Sequence, residues 1–158
     1  MEKKNVMLLA GAGQIGMAIA RRMGYGMKII VGDIKMLVNA AGVSPSQASV
    51  ETILRVDLYG TAVLLEEVGK VISEGGAGAT ISSQSGFRMP ALTAKEDELL
   101  ACTPTEALLE LSLLQPDTIR DTLHAYQLAK RCNEKRVMSQ SVVWGKRGRL
   151  SENLDDLP

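Results

Sequence analysis

The sequence predicts an α/β protein, a doubly wound parallel sheet with helices on both faces. Two observations carry that prediction. Short apolar runs of strand length alternate with longer stretches whose apolar residues recur at helical spacing. The first of these runs also ends in a glycine-rich turn that opens a helical pattern, an order typical of parallel sheets that bind a ligand at their strand ends. With 158 residues and a 46% hydrophobic composition, the chain suffices for one domain with a real core.

Each element can be justified in turn. "NVMLLA", residues 5–10, is a short and fully apolar strand candidate. In "IGMAIARRMG", Ile15, Ala18, Ile19 and Met23 fall at helical spacing, with Gly24 as a stop. "MKIIVG" reads as a second strand, and "KMLVNAAG" as a third that ends in small residues. A long helix is expected over residues 49–72. Ser49 and Glu51 suit its first turn, and Ile53, Val56, Val63, Leu64, Val68 and Val71 form its apolar face. "GATISSQSG" is a further buried strand that ends in polar residues. The stretch at about 88–123 reads as an inserted helical segment. Thr93 and Glu96 have capping-box spacing, and Pro104 and Pro116 stand where a first helical turn tolerates proline. The last strong helix is expected over about 126–144, followed by a basic stop, "GKRGR".

Charge and composition exclude several classes. Eighteen basic and eighteen acidic residues balance to a net charge of zero, with a pI near 6.6, so a nucleic-acid partner is not expected. The N-terminus is polar, and the apolar run behind it is too short to span a bilayer. No signal-peptide arrangement is present. Cys102 and Cys132 are too few for a disulfide framework, and no Cys or His spacing suits a metal. The expectation is a soluble cytoplasmic protein without metal or membrane partner.

Three constellations bear chemistry. The turn carrying Gly11, Gly13, Gln14, Ile15 and Gly16 follows a strand and opens a helix. There, backbone N–H groups can approach a pyrophosphate at the helix N-terminus, the Rossmann-type arrangement. Asp33, at the end of the next strand, can accept hydrogen bonds from ribose hydroxyls and would repel a 2′-phosphate, which favours NAD over NADP. Without a ligand, the same turn is simply a tight strand-to-helix connection. Tyr126 and Lys130 lie four residues apart on a predicted helix and share one face. An ammonium near a phenol favours the phenolate, the form that proton transfer uses; the bland alternative is an amphipathic helix with a half-buried Tyr and a surface Lys. Ser83, in "ISSQSGF" at the end of a core strand, can donate to a carbonyl oxygen, or can instead satisfy backbone groups of a polar turn. A hydrolase triad of Ser83, His124 and an Asp lacks the Gly-x-Ser-x-Gly elbow.

Taken together, the glycine turn, Asp33, "NAAG" at Asn39, Ala40, Ala41 and Gly42, Ser83 in Ser-x-x-Gly, and Tyr126 with Lys130 occur in an order that resembles the short-chain dehydrogenase/reductase family. The resemblance runs from Asn5 to about Gly148 and implies a single NAD(P)-binding Rossmann domain over residues 1–158. It implies hydride transfer between NAD(H) and an alcohol/carbonyl pair. In that family, Tyr126 would be the general acid/base and Lys130 would bind the nicotinamide ribose. Ser83 would polarise the carbonyl, and residues 39–42 would lie beside the adenine half of the cofactor. A homodimer or homotetramer is also implied. The sequence departs from the family in four ways. The glycine spacing is Gly-x-Gly-x-x-Gly, "NAAG" stands for the commoner "NNAG", and Asp57 occupies a position where the family often has a catalytic Asn. The stretch between Ser83 and Tyr126 is also long, with room for a lid or pocket wall. These departures leave a rival reading, a catalytically silent NAD-binding protein with a regulatory or structural role.

One junction conflicts with the family pattern. Gly32 and Asp33 between two apolar runs are a local hairpin signal, yet the family's strands here are parallel. A parallel crossover needs a dozen or more residues. The sequence is therefore expected to lack residues of the natural chain between Lys35 and Met36, where the family has a strand with its helices, and again near 148–150. The tail "RLSENLDDLP" matches no family element.

Overall fold

The apolar runs fold into parallel strands. The computed structural model describes residues 6–10, 28–32, 34–146 and 150–153. The helix expected at 15–24, the turn at 11–16 and Asp33 lie outside the described residues. β1 (Val6–Ala10) pairs in parallel with β2 (Lys28–Gly32). β3 (Ile34–Asn39) pairs in parallel with β4 (Ile72–Thr80), which pairs in parallel with β5 (Leu150–Asn153). The hairpin reading of Gly32 and Asp33 therefore fails, because β2 and β3 each take a different, parallel neighbour.

β3 runs through the Lys35/Met36 junction as one strand, but its register breaks there. Ile34 faces Ile72, while Met36 already faces Ala77. The surplus residues of β4 bulge out, with Gly75 at φ +64°, a left-handed conformation that side-chain-bearing residues rarely adopt. Lys35 Nζ donates to the Glu74 carbonyl at 2.9 Å, and Ser73 Oγ donates to the Ile34 carbonyl at 3.0 Å, fastening the bulge across the ladder. β5 brings residues 150–153 of the tail, which matches no family element in the sequence, into the sheet. Its four residues, "LSEN", carry no apolar run by which a strand is read from sequence.

The helix expected at 49–72 forms in three parts. α1 (Val50–Ile53) is capped by the Ser49 hydroxyl, which accepts from the Thr52 N–H at 3.2 Å. A π-helical segment (Leu54–Gly60) follows, then α2 (Thr61–Val71). The wider π turn buries Leu54, Asp57 and Leu58 together. β4 starts at Ile72, directly after α2, and so begins earlier than the apolar pattern indicated.

In the inserted segment, α3 (Ala94–Cys102) carries the expected capping box: Thr93 Oγ1 accepts from the Glu96 N–H, and the Glu96 carboxylate accepts from the Thr93 N–H. The residues after it form 3₁₀ turns, Thr105–Glu110 and Ser112–Leu114, rather than α-helix. The short helix expected to open at Pro116 does not form, residues 116–118 being a turn. The last helix, expected over about 126–144, begins earlier, as α4 (Thr122–Gly145), where the Asp121 carboxylate accepts from the His124 N–H at 2.7 Å. The insertion is part of the core. Leu100, Leu108, Leu113, Leu114 and Ile119 pack with Ile53, Leu58, Leu128 and Cys132 in one buried cluster. A second cluster of Leu65, Val68, Ile72, Val137 and Trp144 joins α2 and α4 to the sheet. Gly78 makes room for the Trp144 ring, since a Cβ there would sit 2.7 Å from its Cζ3. No described helix is long and apolar enough to cross a membrane.

Candidate active site

Four pieces of chain meet around Lys130. Tyr126 and Lys130 stand one turn apart on α4, which puts the ammonium 5.1 Å from the centre of the Tyr126 ring. Lys130 is only 5% exposed and Tyr126 is half-buried, so the bland reading of a surface lysine does not hold. From the π segment, Asp57 comes within 3.3 Å of Lys130 Nζ through Oδ2 and is itself fully buried. Its other oxygen, Oδ1, accepts from the Val43 N–H at 2.8 Å. The loop after β3 thereby closes over the pair. A Cβ on Gly42 would lie 3.3 Å from Lys130 Nζ and 3.4 Å from both Asp57 oxygens, so a side chain there would press on the charges.

Residues 39–42 serve two ends. Asn39 is buried and engaged within the protein: its Nδ2 donates to Thr61 Oγ1 at 3.2 Å, and its Oδ1 accepts from the Ala41 N–H at 3.2 Å. This ties the end of β3 to the start of α2. Ala40, Ala41 and Gly42 are exposed and carry almost no side chain, which leaves open backbone beside Lys130.

The end of β4 supplies the third side. Ser82 Oγ donates to the Lys130 carbonyl at 2.9 Å, fixing the strand end to α4 at the level of the lysine. Ser83 caps a 3₁₀ turn (Gln84–Phe87), its Oγ accepting from the Ser85 N–H at 3.2 Å. That bond uses a lone pair and leaves the hydroxyl hydrogen available to donate. Gly86 lets the turn lie against α4, because a Cβ there would come 2.9 Å from Arg131 N. Ser83, Tyr126 and Lys130 are thus held on two elements joined directly to one another. The sequence alone points to these three but not to Ser82, Thr61 or the direct contact of Asp57 with Lys130. Ser82 and Thr61 act through ordinary hydroxyls and have no spacing signal.

Next to this group, Arg131 forks onto Asp97 of α3 with bonds of 3.0 and 2.7 Å and also pairs with Glu134. Partial burial pushes the Asp97 carboxyl up, and the Arg131 fork with Lys135 outweighs it, so the group ends below its ordinary value. The same bond to Asp97 raises the Arg131 guanidinium. Burial pushes the Cys132 thiol up to about 12, which makes it inert. His124 is not placed as a catalytic base by its contacts. Its Nδ1 accepts from the Arg120 N–H at 3.3 Å, and ring burial followed by the Arg120 charge pulls it below its ordinary value.

No family profile matches the chain. A curated relative, the short-chain dehydrogenase/reductase bsc3 of Alternaria brassicicola, is 30% identical over 196 residues, covering 92% of this chain and 69% of its own length. The fold is shared with the crystal structure of the 3-alpha-hydroxysteroid dehydrogenase from Pseudomonas sp. B-0831 complexed with NADH. That likeness has a TM-score of 0.55 at 18% identity and spans 91% of this chain and 68% of that one. The chain belongs to the short-chain dehydrogenase/reductase family, a family of oxidoreductases, and has a Rossmann-type α/β fold.

Proposed function

We propose that this protein interconverts an alcohol and a carbonyl compound with a nicotinamide cofactor, NAD(H) in preference to NADP(H). Tyr126 is the general acid/base, Lys130 the ribose-binding ammonium, and Ser83 the donor to the substrate oxygen. The observation that carries this reading is the buried Lys130 ammonium held beside Tyr126 and next to the open backbone of residues 40–42. A cofactor fits that arrangement: Gly42 leaves the space beside Lys130 Nζ that a Cβ would begin to fill. When bound, the nicotinamide gives or takes the hydride. In the reduction direction, the Tyr126 phenol hands its proton to the substrate oxygen, while the Ser83 hydroxyl donates to that oxygen and orients it. Lys130 donates to ribose hydroxyls with N–H groups not turned to Asp57. Asp33 and the turn at residues 11–16 complete the expected cofactor contacts.

The relative complexed with NADH supports a nicotinamide cofactor, and the carboxylate of Asp33 supports NAD over NADP. Two free thiols, Cys102 and Cys132, support a reducing, cytoplasmic setting. Half-exposed Leu123, Met138, Val142 and Val143 on α4 support a homodimer or homotetramer, which gel filtration would reveal. A catalytically silent NAD-binding protein is the second reading, favoured by the engagement of Lys130 with Asp57.

Turnover of a carbonyl panel with NADH and with NADPH separates the two. The expected result is activity with NADH that falls by roughly 10²- to 10⁴-fold in Tyr126→Phe, with cofactor binding retained. NADH binding with turnover absent, or unchanged in Tyr126→Phe, would establish the silent reading.

A further inference from the structure

We propose that a second cavity of this chain, apart from the Tyr126 group, binds a small neutral alcohol. The cavity holds about 430 Å³ and lies between the start of α1 and the turns of the insertion that precede α4, a size usual for small-molecule sites. None of Ser83, Tyr126 and Lys130 lines it, so the proposal goes beyond the catalytic reading and does not depend on it. Val50, Leu54, Leu109, Leu114 and Pro116 give it apolar walls. Leu54 and Leu114 are buried members of the main core cluster, which fixes those walls in place.

Charge and hydrogen bonding narrow the ligand. The charged residues that line the cavity, Glu51 and Arg55, pair with one another at 3.0 Å, so a charged ligand finds no net opposite charge there. Polar selection falls to Gln115, which lines the same cavity. Its Nε2 donates to the Leu109 carbonyl at 2.9 Å and to the Leu111 carbonyl at 3.1 Å. An amide nitrogen carries two hydrogens, and both are spent on these bonds. The Gln115 backbone is held as well, its carbonyl accepting from the Thr118 and Ile119 N–H groups at 3.0 and 3.1 Å. What remains is Oε1, which has no partner among the described residues and can only accept. A ligand hydroxyl can donate to it, whereas a ligand carbonyl would set lone pairs against lone pairs. The cavity is therefore suited to tell an alcohol from the ketone of the same skeleton.

Cyclooctanol and cyclooctanone, which share one ring, test this by amide chemical-shift titration of the isotope-labelled full chain without cofactor. Cyclooctanol is expected to shift the amides of Val50, Leu54, Leu109 and Leu114. Cyclooctanone should bind there about tenfold more weakly, the worth of one hydrogen bond. Equal affinity for the two, shifts confined to the surroundings of Ser83 and Tyr126, or no shifts would each overturn the proposal. Val50→Trp puts an indole into the cavity and should abolish the shifts at Leu109 and Leu114; wild-type affinity in this variant would refute the site. Gln115→Met keeps the length of the side chain, removes the acceptor, and should bring the two ligands to equal affinity. A preference for the alcohol that survives the change would defeat the role given to Gln115. Because Gln115→Met also gives up the bonds to Leu109 and Leu111, its fold is checked by circular dichroism. Should it unfold, the ligand pair on wild type and Val50→Trp still decide.

Discussion

Gly86 and His124 each do something at a single position that another residue would not. A Cβ on Gly86 would meet only backbone: Arg131 N at 2.9 Å and the Lys130 carbonyl carbon at 3.2 Å. Backbone inside a helix cannot step aside as a flexible side chain does. Gly86→Ala should therefore push the Ser83 turn away from α4, lowering stability by about 1–3 kcal/mol in urea unfolding and reducing turnover more than cofactor binding. Equal stability of variant and wild type would mean that the turn is free to shift. His124 makes a pH-dependent contribution. Burial and the Arg120 charge hold its imidazole below the ordinary value of 6.5, and the neutral ring accepts the Arg120 N–H. Between the folded and unfolded values, the unfolded chain binds more protons, so this contribution is complete above 6.5 and lost as pH falls through the lower folded value. Thermal melts of wild type should consequently fall off on acidification below that point more steeply than those of His124→Gln; parallel curves would remove the assignment.

Among the elements, α3 docks on α4 through charge as well as core. Asp97 and Arg131 are mostly buried, and their two-bond fork is the strong form of such a pair. The Asp97 carboxyl is held below its ordinary value of 3.8, so its stabilisation is present above that pH and disappears as pH falls through the lower folded value. Asp97→Asn should cost about 1–3 kcal/mol at neutral pH, and the difference from wild type should vanish in acid. A difference that persists in acid would show that packing around Asp97, not its charge, holds α3. The sequence was informative about elements wherever local chemistry decides them. Thr93 and Glu96 announced α3, Ser49 announced α1, and the apolar runs of β3 and β4 were readable as parallel strands. It was silent where partners decide. "LSEN" becomes β5 only by lying beside β4, the π turn at Leu54–Gly60 has no signature of its own, and α4, capped by Asp121, begins at Thr122, ahead of the expected start. For the candidate site, Ser83, Tyr126 and Lys130 were legible because their order, and the four-residue spacing of Tyr126 and Lys130, resemble a family pattern. The meeting of Asp57 with Lys130 was not, since it joins helices 73 positions apart and only the folded chain brings them together.

The molecule as a whole binds its long insertion into the framework that carries Tyr126 and Lys130. A lid over a cleft would have its own small apolar cluster and few fixed bonds to the body, so that it could open at low cost. Here Leu100, Leu108 and Leu113 instead share a single buried cluster with Leu58 of the π segment and Leu128 of α4. Polar bonds reinforce the same seam. Thr105 Oγ1 donates to Glu66 on α2 at 2.7 Å, Arg136 of α4 donates to the Thr103 carbonyl, and Cys132 Sγ donates to the Leu100 carbonyl at 3.7 Å. Opening the insertion would expose the apolar face of α4 between Tyr126 and Arg136, so insertion and α4 should unfold together. Leu108→Ala is accordingly expected to cost about 2–5 kcal/mol, the range for a fully buried leucine. It should shift one unfolding transition, seen alike by helix circular dichroism and by Trp144 fluorescence. The Trp144 probe belongs to the other core cluster, on the sheet side of α4. A mobile lid would give a different result: Leu108→Ala would leave the Trp144 transition where it is in wild type, while amide exchange accelerated only within the insertion.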